Sequence, residues 1–233
     1  MKEFKKIKIS SETVYILAIL LLSFAVAMIS STNFGVSMIV APAYIISEKV
    51  SVLSFGQSEY IVQGLLFVLF CILMKKVKLV FFSSFVTGVI YGAVLDMWRF
   101  VIPHFNPNVT QPGALPFVLK IVYFVLGMLL TAIAIAMFFR TYIYPQVYDF
   151  FVKGISERFK LDRTKFKTGF DASFLAISCI LTLLLFHKFV GIGVGTIIMT
   201  CLNGMTIGFA GKVIDRFFEI KPRFKNFAKK FDL

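Results

Sequence analysis

Gly35-Val36-Ser37-Met38-Ile39-Val40-Ala41-Pro42-Ala43-Tyr44-Ile45-Ile46-Ser47 is the stretch on which the fold turns. It is apolar, yet shorter than the roughly 20 residues a helix needs to cross a hydrocarbon core. If it crossed, the apolar run that follows would carry Lys75, Lys76 and Lys78 to the face opposite the other basic stretches. It therefore reads as a half-membrane or re-entrant helix on the outer side. Pro42 falls near its first turn, where a missing amide hydrogen costs little.

The charge pattern around it sets the direction of the chain. Of 25 Lys and Arg residues, 21 lie in four stretches, at 2–8, 75–78, 140–167 and 212–230; Lys49, Arg99, Lys120 and Lys188 fall elsewhere. Positive residues in short loops stay cytoplasmic, so both termini and the second and fourth connections are expected inside. Between them lie six apolar runs, at 14–30, 60–74, 79–98, 115–139, 172–186 and 192–210. The second and fifth are short and must borrow flanking residues. The first, with its basic start and Ala25-Val26-Ala27, shares features with a cleaved signal peptide, but apolar chain continues past Ala27 and it is read as a span.

Composition agrees: 58% hydrophobic residues and 29 Phe exceed what a soluble core of this length needs. The net charge of +13 flanks apolar spans and forms no separate basic domain, so nucleic acid is excluded as a partner and anionic lipid headgroups are the expected counter-charge. Cys71, Cys179 and Cys201 sit inside apolar runs without paired spacing, as small packing residues and not as a disulfide or metal framework.

A second short segment, Tyr144-Pro145-Gln146-Val147-Tyr148-Asp149-Phe150-Phe151-Val152-Lys153-Gly154, lies between the fourth and fifth runs on the cytoplasmic side. Span, partial helix, span, span thus occurs twice, and three spans per unit invert the second copy. An offset of 112 pairs Glu59 with Asp171, Lys76 with Lys188 and Gly92 with Gly204. The expected fold is an all-α membrane protein: six transmembrane helices plus two partial or re-entrant helices, in inverted three-span repeats. One integral membrane domain covers 1–233, with a first repeat at 12–100, a second at 115–217 and a basic cytoplasmic tail at 218–233. Inverted repeats with broken helices are common among secondary transporters.

Residues 35–47, the Tyr144-Pro145 segment leading to Lys167-Thr168-Gly169-Phe170-Asp171, and Gly191-Ile192-Gly193-Val194-Gly195-Thr196-Ile197 resemble the YitT/YczE-like family of bacterial polytopic membrane proteins. Met38 stands where that family usually carries the proline of Gly-Val-Ser-Pro. Tyr144-Pro145-Gln146-Val147 stands where the YczE branch reads Gly-Pro-Arg-Asp, so no charged role is carried over. The soluble C-terminal domain of many YitT-branch members is absent, which matches the short, YczE-like branch. The resemblance implies a multi-pass protein of the bacterial inner membrane with a transport-related activity.

Several residues invite a function. The Gly191 to Thr196 run lacks the lysine and flanking strand of a phosphate loop and reads as a tight outer turn. Gly88 with Gly92, and Gly204 with Gly208, are pairs four apart that mark helix contacts, which predicts that the third and sixth spans pack together. Asp96 and Arg99 near the outer face read as a surface ion pair or a gate. Glu59 and Asp171 read as helix-start caps or as the linings of two opposed half-sites. Ser83, Ser84, Thr87 and Ser178 suit interhelical hydrogen bonds, whereas the amides Gln63 and Asn203 are the better site candidates. Helix starts at Ser37 and at Tyr144-Pro145 would line a polar cavity, and their free amides would favour an anionic group. His104 and His187 lack the neighbours of a metal or catalytic site. No nucleophile, base and orienting group converge, so no enzyme activity, metal or cofactor is expected. The expected partners are the bilayer and a small organic solute, with a homo-oligomer left open. The leading function is a small secondary transporter or exporter; a substrate-capturing subunit of an ATPase-energised transporter and a non-transporting scaffold or assembly factor are the alternatives.

Overall fold

The structure is a computed structural model that describes residues 6–75 and 78–231. The start of the first basic stretch, Lys76 with its proposed pairing to Lys188, and the end of the tail lie outside the described residues.

Among the described residues, six helices are long and apolar enough to cross a membrane. They are α1 (Ser11–Ser31), α3 (Phe55–Met74), α4 (Phe82–Val101), α5 (Phe117–Phe138), α7 (Arg163–Phe186) and α8 (Val194–Phe217). Two shorter ones, α2 (Ala41–Lys49) and α6 (Val147–Phe159), fall where the sequence placed its partial helices. The short second and fifth runs do borrow residues, because polar caps lie well upstream of them. Ser54 and Gln57 form a reciprocal capping box that starts α3 at Phe55. Asp162 accepts from the Lys165 amide at 2.8 Å and starts α7 at Arg163. Side chains facing away from the bundle, such as Leu65, Val68 and Ile72 on α3 or Leu184 on α7, are apolar and exposed, as lipid-facing positions require.

Packing centres on α1 against α5, which place small residues in contact. Ala25 and Ala27 on one side and Ala132 and Ala134 on the other are buried, and a Cβ added at Gly127 would press into Ile29 and the Ala25 carbonyl. This corrects the expectation that the third and sixth spans meet. Instead α4 packs on α1, and α8 on α5. Gly88 and Gly92 face α3: a Cβ at Gly92 would strike the Gly56 carbonyl. Gly204 and Gly208 have open space around them and make no helix contact among the described residues. Cys201 is exposed and so is not a packing residue. Further contacts join α3 to α2, α4 and α6, α4 to α6, and α7 to α2 and α6.

The two ends of the chain meet. Strand β1 (Ile7–Ser10) pairs in parallel with β2 (Phe218–Lys221), Ile7 opposite Phe218 and Ser10 opposite Lys221. Beyond it a single helical turn, α9 (Lys225–Ala228), leads to Phe231, whose ring packs on Tyr142 and Tyr144 while its carbonyl accepts from the Tyr144 hydroxyl at 2.7 Å. The basic tail is therefore folded against the body of the protein. On the same face Arg140 pairs with Asp215, and Arg158 bonds the Met74 carbonyl.

At the other end, the glycine-rich run and the segment after α1 lie backbone to backbone. Val36 N–H donates to the Gly191 carbonyl at 2.9 Å, Gly195 N–H to the Phe34 carbonyl at 2.7 Å, and the Thr196 hydroxyl to the Val36 carbonyl at 2.8 Å. Gly35, at φ +97°, has no room for a Cβ beside Thr196 and Gly193. Lys49, ending α2, donates to the Leu185 carbonyl near the end of α7 at 2.8 Å.

Candidate functional site

The starts of α2 and α6 open on one cavity. Its inner part, about 80 Å³, is bounded by Ser37 and Val40 before α2, by Pro145, Gln146 and Tyr148 at α6, and by Asn203 of α8. A larger cavity of about 830 Å³ shares Ser37, Pro145, Asp149 and Asn203 with it and extends between α7 and α8 to the tail. Its far wall includes Lys167, Asp171 and Phe231. Of the residues singled out in sequence, Ser37, Tyr144, Pro145, Asp171 and Asn203 thus border this space, and Glu59 and Gln63 stand behind its wall.

Those two belong to a buried polar cluster where α3 meets α6. Glu59 and Gln63 are both 0% exposed. Val147 N–H donates to Gln63 Oε1 at 3.3 Å, and since a backbone N–H is always a donor, this fixes the orientation of the amide. Gln63 Nε2 then faces Glu59 Oε2 at 3.1 Å and Gln146 Oε1 at 3.2 Å. Tyr148 adds its hydroxyl to Glu59 Oε2 at 3.2 Å. Gly88 makes the cluster fit, because a Cβ there would collide with the Gln63 amide.

Neither acid caps a helix. Glu59 lies past the first turn of α3, whose start is held by Ser54, Gln57 and Asp96, the last accepting from the Gly56 amide at 2.8 Å. Asp171 lies two turns into α7 and pairs with Lys167 at 3.0 Å. Lys167 also reaches Asp149 at 3.4 Å, so two carboxylates share one ammonium on the cavity wall. Asp96 and Arg99 form no ion pair; Arg99 is buried over the Phe55 ring instead.

The helix starts also differ from expectation. The Ser37 carbonyl accepts from the Val40 and Ala41 amides, Pro42 has no N–H, and Gln63 takes the first amide of α6. Those backbone donors are thus spent within the protein. Side-chain atoms stand open beside them: Gln146 Nε2 and Asn203 Oδ1 are buried and have no hydrogen-bond partner among the described residues, and both residues border the inner cavity. Tyr142, on the outer wall, donates to Glu12 at 3.0 Å. Burial first, and then that hydrogen bond and the carboxylate charge, push its phenol up to about 12, so it stays protonated.

Ser83, Ser84 and Ser178 bond carbonyls of their own helical turns and bridge nothing. Thr87 is the interhelical hydroxyl, 2.6 Å from the Tyr15 hydroxyl and 3.1 Å from the Tyr144 carbonyl.

A family of unknown function (DUF6198) matches residues 9–212. The chain belongs to that family. It is also 26% identical over 210 residues to the uncharacterized protein YyaS of Bacillus subtilis (strain 168), which covers 90% of this chain and 96% of that protein. No solved structure matches. The family region takes in both helix starts, the Glu59 cluster and Asn203, so the inner cavity lies wholly inside it, whereas Ala228 and Phe231 of the outer wall lie beyond it.

Gln146, Tyr148, Asp149 and Lys167 were not singled out as site residues from sequence. In sequence Gln146 reads as part of a short segment that departs from a family motif, and Lys167 as a cytoplasmic charge that opens one of the segments carrying the family resemblance. A signal existed in Asp149: one acid in the first turn of a short helix that cannot span.

Proposed function

We propose that the protein is a small secondary transporter or exporter of an organic solute, which binds between the starts of two half-membrane helices. The observation that carries this reading is the pair of unpartnered amides, Gln146 Nε2 and Asn203 Oδ1, on the wall of one cavity. In a low-dielectric interior such groups persist where water or a ligand meets them. One donor and one acceptor across a largely apolar space suit an uncharged or zwitterionic polar group on an organic molecule.

An inverted repeat would suit the same reading. Exchanging α1–α4 with α5–α8 carries the α1/α4 contact onto α5/α8, the α2/α3 contact onto α6/α7, and the α3/α6 contact onto α7/α2. The starts of α2 and α6 share a cavity while their ends reach Leu185 and Met74, at the ends of α7 and α3. Two re-entrant helices entering from opposite faces would meet in this way. The resemblance to YitT/YczE-like proteins and the basic stretches support a location in the bacterial inner membrane with both termini cytoplasmic.

Purified protein in nanodiscs, screened against a metabolite library by thermal stabilisation, tests the proposal. A stabilising compound that no longer acts on N203L, and that moves across proteoliposomes containing this protein alone, is the expected result. Movement only with an added ATPase module identifies a capturing subunit; binding without movement under any gradient, or no binding, favours a scaffold.

A further inference from the structure

The Glu59 cluster does more than brace α6. Its carboxyl is 0% exposed inside a membrane-crossing helix and forms no ion pair among the described residues. One oxygen is held by Gln63 and Tyr148, while Oε1 has no hydrogen-bond partner among the described residues. A charged carboxylate buried without a counter-ion is among the costliest arrangements a membrane protein can hold. No group of three or more His, Cys, Asp or Glu side chains stands around it among the described residues to hold a metal cation in place of the proton. Two members of the cluster, Gln146 and Tyr148, reach the inner cavity.

We infer that Glu59 is the binding site for an exchangeable proton, loaded from the cavity and coupled to its opening. This deepens the transport reading and rests on it for the coupling, but the proton site stands or falls separately. Loading takes one proton from a hydronium ion in cavity water, forms an O–H bond on the Glu59 carboxyl and leaves a water molecule. Release is the reverse, and requires water to enter, since the ionised form needs hydration that the closed packing denies it.

The ionisable groups facing Glu59 are few. Tyr148 comes from α6 and Tyr91 from α4. Asp96 of α4 is bound to the α3 start, Asp149 of α6 turns to Lys167, and on α2 Tyr44 and Glu48 lie with Arg99. None of these brings a cation to the carboxyl.

Infrared spectroscopy of the protein in nanodiscs tests the site without any solute. A carbonyl stretch of a protonated carboxyl should persist at pH values where ordinary carboxylates are ionised, disappear in E59Q and survive in D171N. Absence of that band in the wild type, or its survival in E59Q, overturns the assignment. Should E59Q fail to fold, Y148F must shift the band, since it removes the hydroxyl bonded to Glu59; an unmoved band overturns the proposal equally. For the coupling, a nitroxide at I207C on the cavity wall, in a background lacking the three native cysteines, should change its accessibility to a water-soluble relaxant with the same pH midpoint as the band, and lose that dependence in E59Q. A titrating band without a matching change at Ile207 overturns the coupling. A matching change without solute movement leaves the proton site intact and defeats the transport reading.

Discussion

Gln63 and Asn203 have the same chemistry but opposite surroundings, and substitution by Leu should separate them. Gln63 satisfies the Val147 amide, Glu59 and Gln146 at once. Q63L strands two buried groups, the Val147 amide and Gln146 Oε1, each costing roughly 1–3 kcal/mol, and leaves Glu59 Oε2 with Tyr148 alone, so the variant should lose thermal stability heavily in detergent before binding can be read. Asn203 Oδ1 has no partner among the described residues, so N203L should abolish solute binding while its unfolding temperature stays close to the parent's. Equal loss of stability in both would show that Asn203 is structural. Both amides were legible in sequence, because an amide in an apolar run is uncomfortable facing lipid. Their different roles were not, since the Gln63–Gln146 contact joins residues 83 apart and depends on how two helices are rotated.

Helices announced themselves by apolar length, and their true starts by the caps Ser54 and Asp162, which a hydropathy scan passes over because capping residues are polar. Helix faces were harder to read. Gly88 with Gly92 and Gly204 with Gly208 carry the same spacing, yet the first pair fits against α3 and the second faces open space. Small residues permit close approach but do not choose the neighbour. The α1/α5 centre is instead carried by alanines, which stand out less than glycines in an apolar run. The expected outcome is that G92L separates α3 from α4 and destabilises the protein by about 1–3 kcal/mol or more, as overpacked interfaces do. G204L should be tolerated in the monomer, as measured by thermal unfolding. If G204L instead disrupts a dimer on size-exclusion chromatography, the α8 face is where copies of the chain meet.

Across the whole molecule the ends of the chain fix the frame. Pairing of β1 with β2 puts the segments that flank α1 and α8 on one face, and under the proposed orientation the basic stretches make that face the cytoplasmic one. Single cysteines at Lys75 or Lys160 should therefore react with an impermeant maleimide only in inverted vesicles; reaction of the Lys75 site in right-side-out cells would break the six-span reading. The frame also contains an asymmetry that a repeat read from sequence did not show. α3 packs on α4, with Phe67 stacked on Phe85, whereas their counterparts α7 and α8 stand apart around the larger cavity, which opens toward the tail. If the two repeats trade these arrangements, closing α7 onto α8 and parting α3 from α4 moves the opening to the opposite face around a fixed centre at Ser37, Gln146 and Asn203. A thiol-specific cross-link between F67C and F85C, in a background lacking native cysteines, should then hold the cavity open on the tail side. Solute should still bind the locked protein with nearly unchanged affinity, while its movement across proteoliposomes falls to background and returns when the link is reduced. Unimpaired movement with the link intact would mean that α3 and α4 never part, and that the two halves do not exchange roles.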